Sequence, residues 1–461
     1  MIAAAETALD RLEELVGKAG GRRRLVSVTV EAEFADPSAA AFGARLARDR
    51  WFCWEQPDRD RFALAAIGSV AEIISRGPAR FTDVATDCAE LARDRVSSEP
   101  DDLPAGAGPV WTGGFAFDAN GAAASHWSSL PPALMVLPEL ALWRAGERTL
   151  LTANVLAGPG AEPAVAALRA RLASLGDGGI PLADPLPGAA SIASLTAPEA
   201  YEGMVADAVA AIDRDEAEKV VLAREVTVTA GGAHDAAAIF GALREVFPSC
   251  FCFCCGTPEA AFVGASPELL VRRSGAGAST VALAGSARRS ADPAVDDHLG
   301  EQLRASPKDR AEHEIVVRRI QRALRPHAVW VEAAPEASLI KVANIQHLAT
   351  PIRAQLSDPR SAVELAGLLH PTPAVGGEPR DAALAAIARL EDMDRGWYAG
   401  PVGWMDAAED GEFCVALRSG LLRDRVAHLY AGAGIVAGSD PAAELAETEI
   451  KLGALLPLLA G

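Results

Sequence analysis

Residues Leu429 to Leu452 read LYAGAGIVAGSDPAAELAETEIKL. Gly432, Gly434 and Gly438 leave the backbone open to a close neighbour, and Ser439, Asp440 and Pro441 spell the start of a helix. Beyond that start Glu444, Glu447 and Lys451 are spaced by three and four, which stacks them on one helical face. Two carboxylates and an ammonium beside a glycine-rich turn suit a divalent cation and an anionic small molecule. A capped surface helix with a Glu to Lys pair would read the same, so the decision rests on whether distant segments supply partners.

The chain has 461 residues, half of them hydrophobic, enough for two or three ordinary domains or one large one. Its net charge of -19 argues against nucleic acid or an anionic membrane as the main partner, and an anionic ligand would need a cation to meet it. No run approaches the roughly 18 to 20 apolar residues of a membrane span. Met1 to Leu15 carries Glu6, Asp10, Glu13 and Glu14 where a signal peptide is basic and then apolar, so a cytoplasmic location is expected. Four of the seven cysteines lie in CFCFCC, Cys250 to Cys255, whose alternation with phenylalanine fits a buried strand better than a zinc site. Cys53, Cys88 and Cys414 are isolated, and reduced thiols are expected.

Strand character is expected in LVSVTVEAEF, in a pair within Arg48 to Gly68, in Pro109 to Asp118, and in two strands, Ala133 to Trp143 and Thr149 to Val155. Helices are expected at the N-terminus, at Ser38 to Arg50, Ser69 to Ser75 and Ala161 to Leu175. Gly176 to Pro187, rich in Gly, Pro and Asp, reads as a linker. It divides an N-terminal half, 1–190, from a second half, 191–461. Beyond it come a helix over Ala197 to Glu216, the strand VVLAREVTVTA, a helix over Ala236 to Glu245, four strands between Phe251 and Leu283, and helices over Asp296 to Leu303 and Arg310 to Leu324. GGFAFD and YAGPVGWMD are loose counterparts and hint at a duplicated architecture.

Several segments carry groups suited to chemistry. Lys219 in EKVVLARE enters an apolar strand, where a desolvated amine can serve as a base and a snorkelling lysine is the plain alternative. Glu268 follows the Ser266 and Pro267 turn between two apolar pieces, and burial there would keep a carboxyl protonated as a general acid. Gly285 and Ser286 follow a strand in VALAGSARR. In SPKDRAEHEIVVRRI, Asp309 and Glu312 lie one turn apart with His313 and Glu314 alongside; oxygen ligands suit magnesium, although acids in a first turn also match the helix dipole. His347 and Thr350 in NIQHLATPIRA read as core and strand residues. Tyr398 and Arg418 could supply a phenol and a guanidinium to a carboxylate.

In order, KVVLARE, GASPELL, LAGSARR, KDRAEHEIVV, NIQHLATPI, LLHPTPAVGG, WYAGPVGW, VALRSG and AGAGIVAGSDPAAELAETEIK resemble the chorismate-utilising enzymes, and among them the isochorismate synthases, over about Tyr201 to Leu456. The resemblance implies one large α/β (α+β) domain with a layered antiparallel β-sandwich core ringed by helices, Mg2+ dependence, chorismate as substrate and a monomer. It also implies roles. Lys219 matches the base that activates water for attack at ring carbon 2, and Glu268 the acid that protonates the departing 4-hydroxyl. Glu312 and Glu447 match magnesium ligands, with Asp309 and Glu444 in support. Tyr398, Arg418, Gly434 and Lys451 match positions that hold substrate carboxylates; Gly285 and Ser286 line the same pocket, and His347 and Thr350 join the substrate-binding set.

Anthranilate and aminodeoxychorismate synthases carry glutamine at the position of Lys219, and the latter a lysine where this chain has Ala284; both differences imply water as the nucleophile. Salicylate synthases share the lysine and also eliminate pyruvate, but LLHPTPAVGGEP resembles the isochorismate synthase version. A catalytically dead chorismate binder would have lost Lys219 or Glu268. Menaquinone biosynthesis is the expected pathway.

Overall fold

The computed structural model describes residues 2–19, 21–176, 185, 189–343 and 345–460. Its organising device is strands buried on both faces. In Phe251–Gly256 every residue is buried. Phe251, Phe253 and Cys255 enter one apolar core, while Cys252 and Cys254, with Cys250 just before them, enter a second. The neighbouring strand Trp51–Gln56 repeats the alternation, with Phe52 and Trp54 on the first side and Cys53 on the other. All seven cysteines are buried and unbridged. A pleated strand with apolar groups on both faces must lie between two layers. One side meets a second sheet; helices such as Ile2–Lys18, Pro37–Ala44 and Ala236–Val246 cover the other.

The larger sheet has 13 strands, in the order Ala190–Ser194, Lys219–Ala230, Val426–Ile435, Ser419–Arg423, Ala261–Ser266, Phe251–Gly256, Trp51–Gln56, Phe62–Ile67, Leu140–Ala145, Arg148–Ala157, Arg24–Glu31 and Val96–Ser98, with Gly377–Glu378 pairing on Lys219–Ala230. The smaller has ten: Ala328–Ala333, Ile345–Leu356, Gly277–Arg288, Leu269–Ser274, Gly411–Val415, Pro401–Asp406, Val110–Phe115, Ala133–Leu137 and Ala71–Ser75, with Ser338–Lys341 on Ile345–Leu356. Only Arg24–Glu31 and Val96–Ser98 pair in parallel among the described residues. This is the expected antiparallel α/β sandwich ringed by helices.

Both sheets contain strands from both halves, joined at Trp51–Gln56 against Phe251–Gly256 and at Val110–Phe115 against Pro401–Asp406. Outward from the first seam the two halves mirror each other. Phe62–Ile67 answers Ala261–Ser266, and the pair Arg24–Glu31 with Arg148–Ala157 answers Lys219–Ala230 with Val426–Ile435. The two segments that hinted at duplication, GGFAFD and YAGPVGWMD, are themselves partners, with Gly113 opposite Gly403.

Some local expectations are corrected. Ala71–Ser75 is an edge strand, not a helix, because its alternating residues pair with Ala133–Leu137. Ala133 to Trp143 is two strands in different sheets, parted at Pro138, whose missing N–H suits a break in the ladder. The helix expected to reach Arg50 ends at Ala44, and Arg80–Arg93, unanticipated, is a helix. Apart from Gly176 and Pro185, the Gly176 to Pro187 linker lies outside the described residues.

Candidate active site

The opening stretch folds as strand, turn and helix. Val426–Ile435 pairs with Lys219–Ala230, setting Gly434 opposite Val221. Asp440 then caps Pro441–Leu452, accepting from the Ala443 N–H at 2.9 Å. Lys219, the first residue of its strand, is fully buried. Its Nζ lies 2.8 Å from Glu312 Oε1 on the helix Pro307–Leu324, but without the alignment of a hydrogen bond. Gly434 makes that meeting possible: a Cβ there would stand 2.5 Å from Glu312 Oε1 and 2.9 Å from Lys219 Cε. Gly377, at φ +137°, holds the other side, since a Cβ would fall 2.2 Å from the Lys219 carbonyl oxygen.

Glu268 sits at the end of Ala261–Ser266, where the Ser266 hydroxyl accepts its N–H at 3.2 Å and donates to the Val415 carbonyl at 2.5 Å. Burial pushes its carboxyl up to about 8, against the pull of the Lys219 charge and of the Thr372 hydroxyl at 3.4 Å. It is therefore a protonated acid at neutral pH. His347 is buried and pushed down to about 3 by burial and by the Arg418 and Lys451 charges. Arg418 Nη2 donates to its Nε2 at 3.2 Å, which leaves Nδ1 as the N–H that donates to the Gly285 carbonyl at 3.2 Å. Arg418 itself adopts φ +48°, a strained conformation for a side-chain-bearing residue. Burial lifts the buried Tyr398 to about 12, so it remains a phenol.

These groups converge on one cavity, lined by Glu268, Gly285, Ser286, Glu312, His347, Tyr398, Arg418, Gly434, Glu447 and Lys451 among others. Four anticipated residues are not in its wall. Lys219 is ion-paired to Glu312, while the Thr350 hydroxyl shares a hydrogen bond with His313 Nε2 at 2.7 Å. Glu444 accepts from Lys308 Nζ at 2.9 Å, and Asp309 packs behind Gly285, where a Cβ would come 3.1 Å from it. Lys451 keeps the plain helical pairing, 2.6 Å from Glu447, and donates to the Gly432 carbonyl at 2.8 Å.

Sequence reasoning passed over Arg395, Tyr430 and Thr372. Arg395 lines the cavity, is ion-paired to Glu391 at 2.5 Å, and donates to the Val375 and Val221 carbonyls. Only its position at the end of the acidic run EDMDR, two residues before Trp397, could have drawn attention to it. Tyr430 stacks on Tyr398 with centroids 5.3 Å apart.

A buried acid with Arg395, Arg418 and Lys451 around one cavity, and a buried amine just outside its wall, suit an anionic small molecule. Residues 9–460 match the family described as chorismate binding enzyme. The chain belongs to the chorismate-binding enzymes. The "salicylate biosynthesis isochorismate synthase" of Pseudomonas aeruginosa is 38% identical over 96% of this chain and 92% of its own. The isochorismate synthase MenF of Bacillus subtilis is 33% identical over 95% and 94%. Among solved structures, the menaquinone-specific isochorismate synthase MenF of Escherichia coli superposes with a TM-score of 0.81, 27% identity and 99% of both chains covered. Within the chorismate-binding enzymes this chain thus stands among the isochorismate synthases, which are isomerases.

A chorismate-binding enzyme of this kind raises the question of a divalent cation, and the donor chemistry suits one, although no three of the four carboxylates bring oxygens within 4.8 Å of one another. Glu312 and Asp309 come from one helix, Glu444 and Glu447 from another, and all offer hard oxygens. Burial raises Asp309, and its neighbours Glu312 and Glu447 raise it further; Glu444 is raised by burial and by Glu447. A cation would relieve that mutual repulsion. Three lysines do part of this work: Lys219 on Glu312, Lys308 on Glu444 and Lys451 on Glu447.

Proposed function

We propose that this chorismate-binding enzyme converts chorismate to isochorismate. Lys219, having first given up its ammonium proton, takes a proton from water as the oxygen attacks ring carbon 2, the ring double bonds shift, and Glu268 donates its proton to the hydroxyl departing from carbon 4. One water enters and one leaves, so the reaction is an isomerisation. What carries this reading is Glu268: a fully buried carboxyl held protonated near neutral pH in the cavity wall, with the buried Lys219 amine close enough to perturb it. Arg418, oriented by His347, and Tyr398 are placed to hold substrate carboxylates. Glu312 and Glu447 would hold Mg2+, with Asp309 and Glu444 supporting directly or through water. When bound, the ion neutralises a carboxylate of the dianionic substrate and polarises it.

Incubating purified protein with chorismate and Mg2+ and separating the products tests the reading. Isochorismate is the expected product. Salicylate with pyruvate would assign a salicylate synthase, and unchanged chorismate a binder. Lys219→Ala is expected to lower turnover by about 10²–10⁴-fold while chorismate still binds; retained turnover would remove Lys219 from the base role. We place the product in menaquinone biosynthesis, with the end-to-end superposition on the Escherichia coli enzyme as support. The Pseudomonas aeruginosa relative favours a second reading, supply of salicylate biosynthesis. Complementation of strains lacking either pathway's synthase separates the two.

A further inference from the structure

A second cluster of ligating side chains lies outside the cavity. Glu225 stands opposite Tyr430 in the pairing of Lys219–Ala230 with Val426–Ile435. His428, two residues earlier on the same strand face, is therefore its diagonal neighbour. Its Nδ1 is 2.6 Å from Glu225 Oε1. His126, from the short helical turn Ser125–Trp127, lays its ring on that of His428, with centroids 4.2 Å apart and planes 12° from parallel. Each of His126, Glu225 and His428 offers one ligand atom, and the three atoms lie within 4.8 Å of one another. No other set of three His, Cys, Asp or Glu residues among the described residues does so.

We propose that His126, Glu225 and His428 form a site for one borderline divalent transition-metal ion of the Zn2+ class, distinct from the carboxylates of the chorismate cavity. Two imidazoles and one carboxylate are the donor chemistry of such ions, whereas Mg2+ prefers oxygen alone. A tetrahedral ion with bonds of about 2.0–2.1 Å holds its ligand atoms about 3.3–3.4 Å apart, so the His428 and Glu225 pair must open from 2.6 Å to admit it and the rings must turn out of their parallel stack. The surroundings support the set. Glu225 is buried and both histidines are half-buried, leaving an approach from solvent. The Tyr430 hydroxyl lies 3.2 Å from His126 Nε2 and 3.5 Å from Glu225 Oε1, a donor that orients the carboxylate as outer partners of metal ligands do. Asp394 adds negative charge nearby, and Arg423, bonded to the Ser125 and His126 carbonyls and to Ser128, adds one opposing positive charge. Tyr430 also lines the chorismate cavity, so it is a wall common to both sites.

The test titrates Zn2+ into the full-length protein under saturating Mg2+, with a chromophoric chelator as competitor and Co2+ as a spectroscopic probe. One equivalent of Zn2+ should bind, and Co2+ should give the visible bands of a four-coordinate site. His126→Ala and His428→Gln, each checked for an unchanged far-ultraviolet dichroism spectrum, should each weaken that equivalent by more than about 10-fold. Absence of a bound equivalent and of Co2+ bands in the unaltered protein would overturn the proposal. So would binding that survives both substitutions, which would place the ion on other carboxylates.

Discussion

At the residue scale the decisive group is Glu268, and its environment makes two effects separable. In the unfolded chain a glutamic acid ionises near about 4.3, whereas the folded protein retains the proton up to about 8. The folded state therefore binds more protons between these values, and stability falls as pH rises through that window, levelling off above about 8. Glu268→Gln keeps a neutral side chain at every pH. It is expected to match the wild type in denaturant stability near pH 4 and to exceed it near pH 9 by on the order of 5 kcal/mol, while turnover drops by about 10²–10⁴-fold because the amide cannot donate the proton. For the wild type, turnover should decline as pH climbs through about 8. A pH profile flat from 7 to 9 would show that Glu268 is not the acid.

At the element scale the site is made by two glycines that let strand and helix approach. Gly434→Ala places a methyl group against the mobile ends of Glu312 and Lys219 rather than against backbone. These ends can shift, so thermal stability should change little, yet a displacement near 1 Å at a base is worth about 10² in rate. Steady-state kinetics beside a melting curve decide it: loss of stability without a larger loss of turnover would make Gly434 a packing residue only. Much of this was legible in the sequence, because Gly434, Glu447 and Lys451 lie in one short run and Glu312 in another whose spacing fixes a helical face. Tertiary choice was not. Lys451 pairs with Glu447 as the helical spacing allows, but Thr350 meets His313 and Lys308 meets Glu444, and each of these partners comes from an element whose placement local spacing does not encode. The Ser69 to Ser75 segment was misjudged for the same reason: its pairing partner, Ala133–Leu137, is remote in sequence and specifies the strand.

At the scale of the whole molecule, mirrored halves raise the question of why the cavity lies in the second. The answer is in the two matching strand pairs. Lys219–Ala230 faces a strand with Gly432 and Gly434, whereas Arg24–Glu31 faces Arg148–Ala157, whose interior has no glycine and where Ser27 donates to Asn154 Oδ1 at 2.7 Å. One pair leaves space and the other closes it. The halves are nonetheless joined through both sheets, and at the smaller seam Gly113 lies opposite Gly403, each also pressed against the next strand of its own half: a Cβ on Gly403 would stand 2.0 Å from the Glu412 carbonyl oxygen, and one on Gly113 2.0 Å from that of Leu134. Backbone on both sides cannot retreat as a side-chain end can. Gly403→Ala should therefore destabilise the protein by about 1–3 kcal/mol, and, because strands of both halves share each sheet, the denaturant curve should move as one transition. Two transitions, with only one displaced by the substitution, would mean that the halves unfold independently and that the seam is a contact between domains rather than a continuous core.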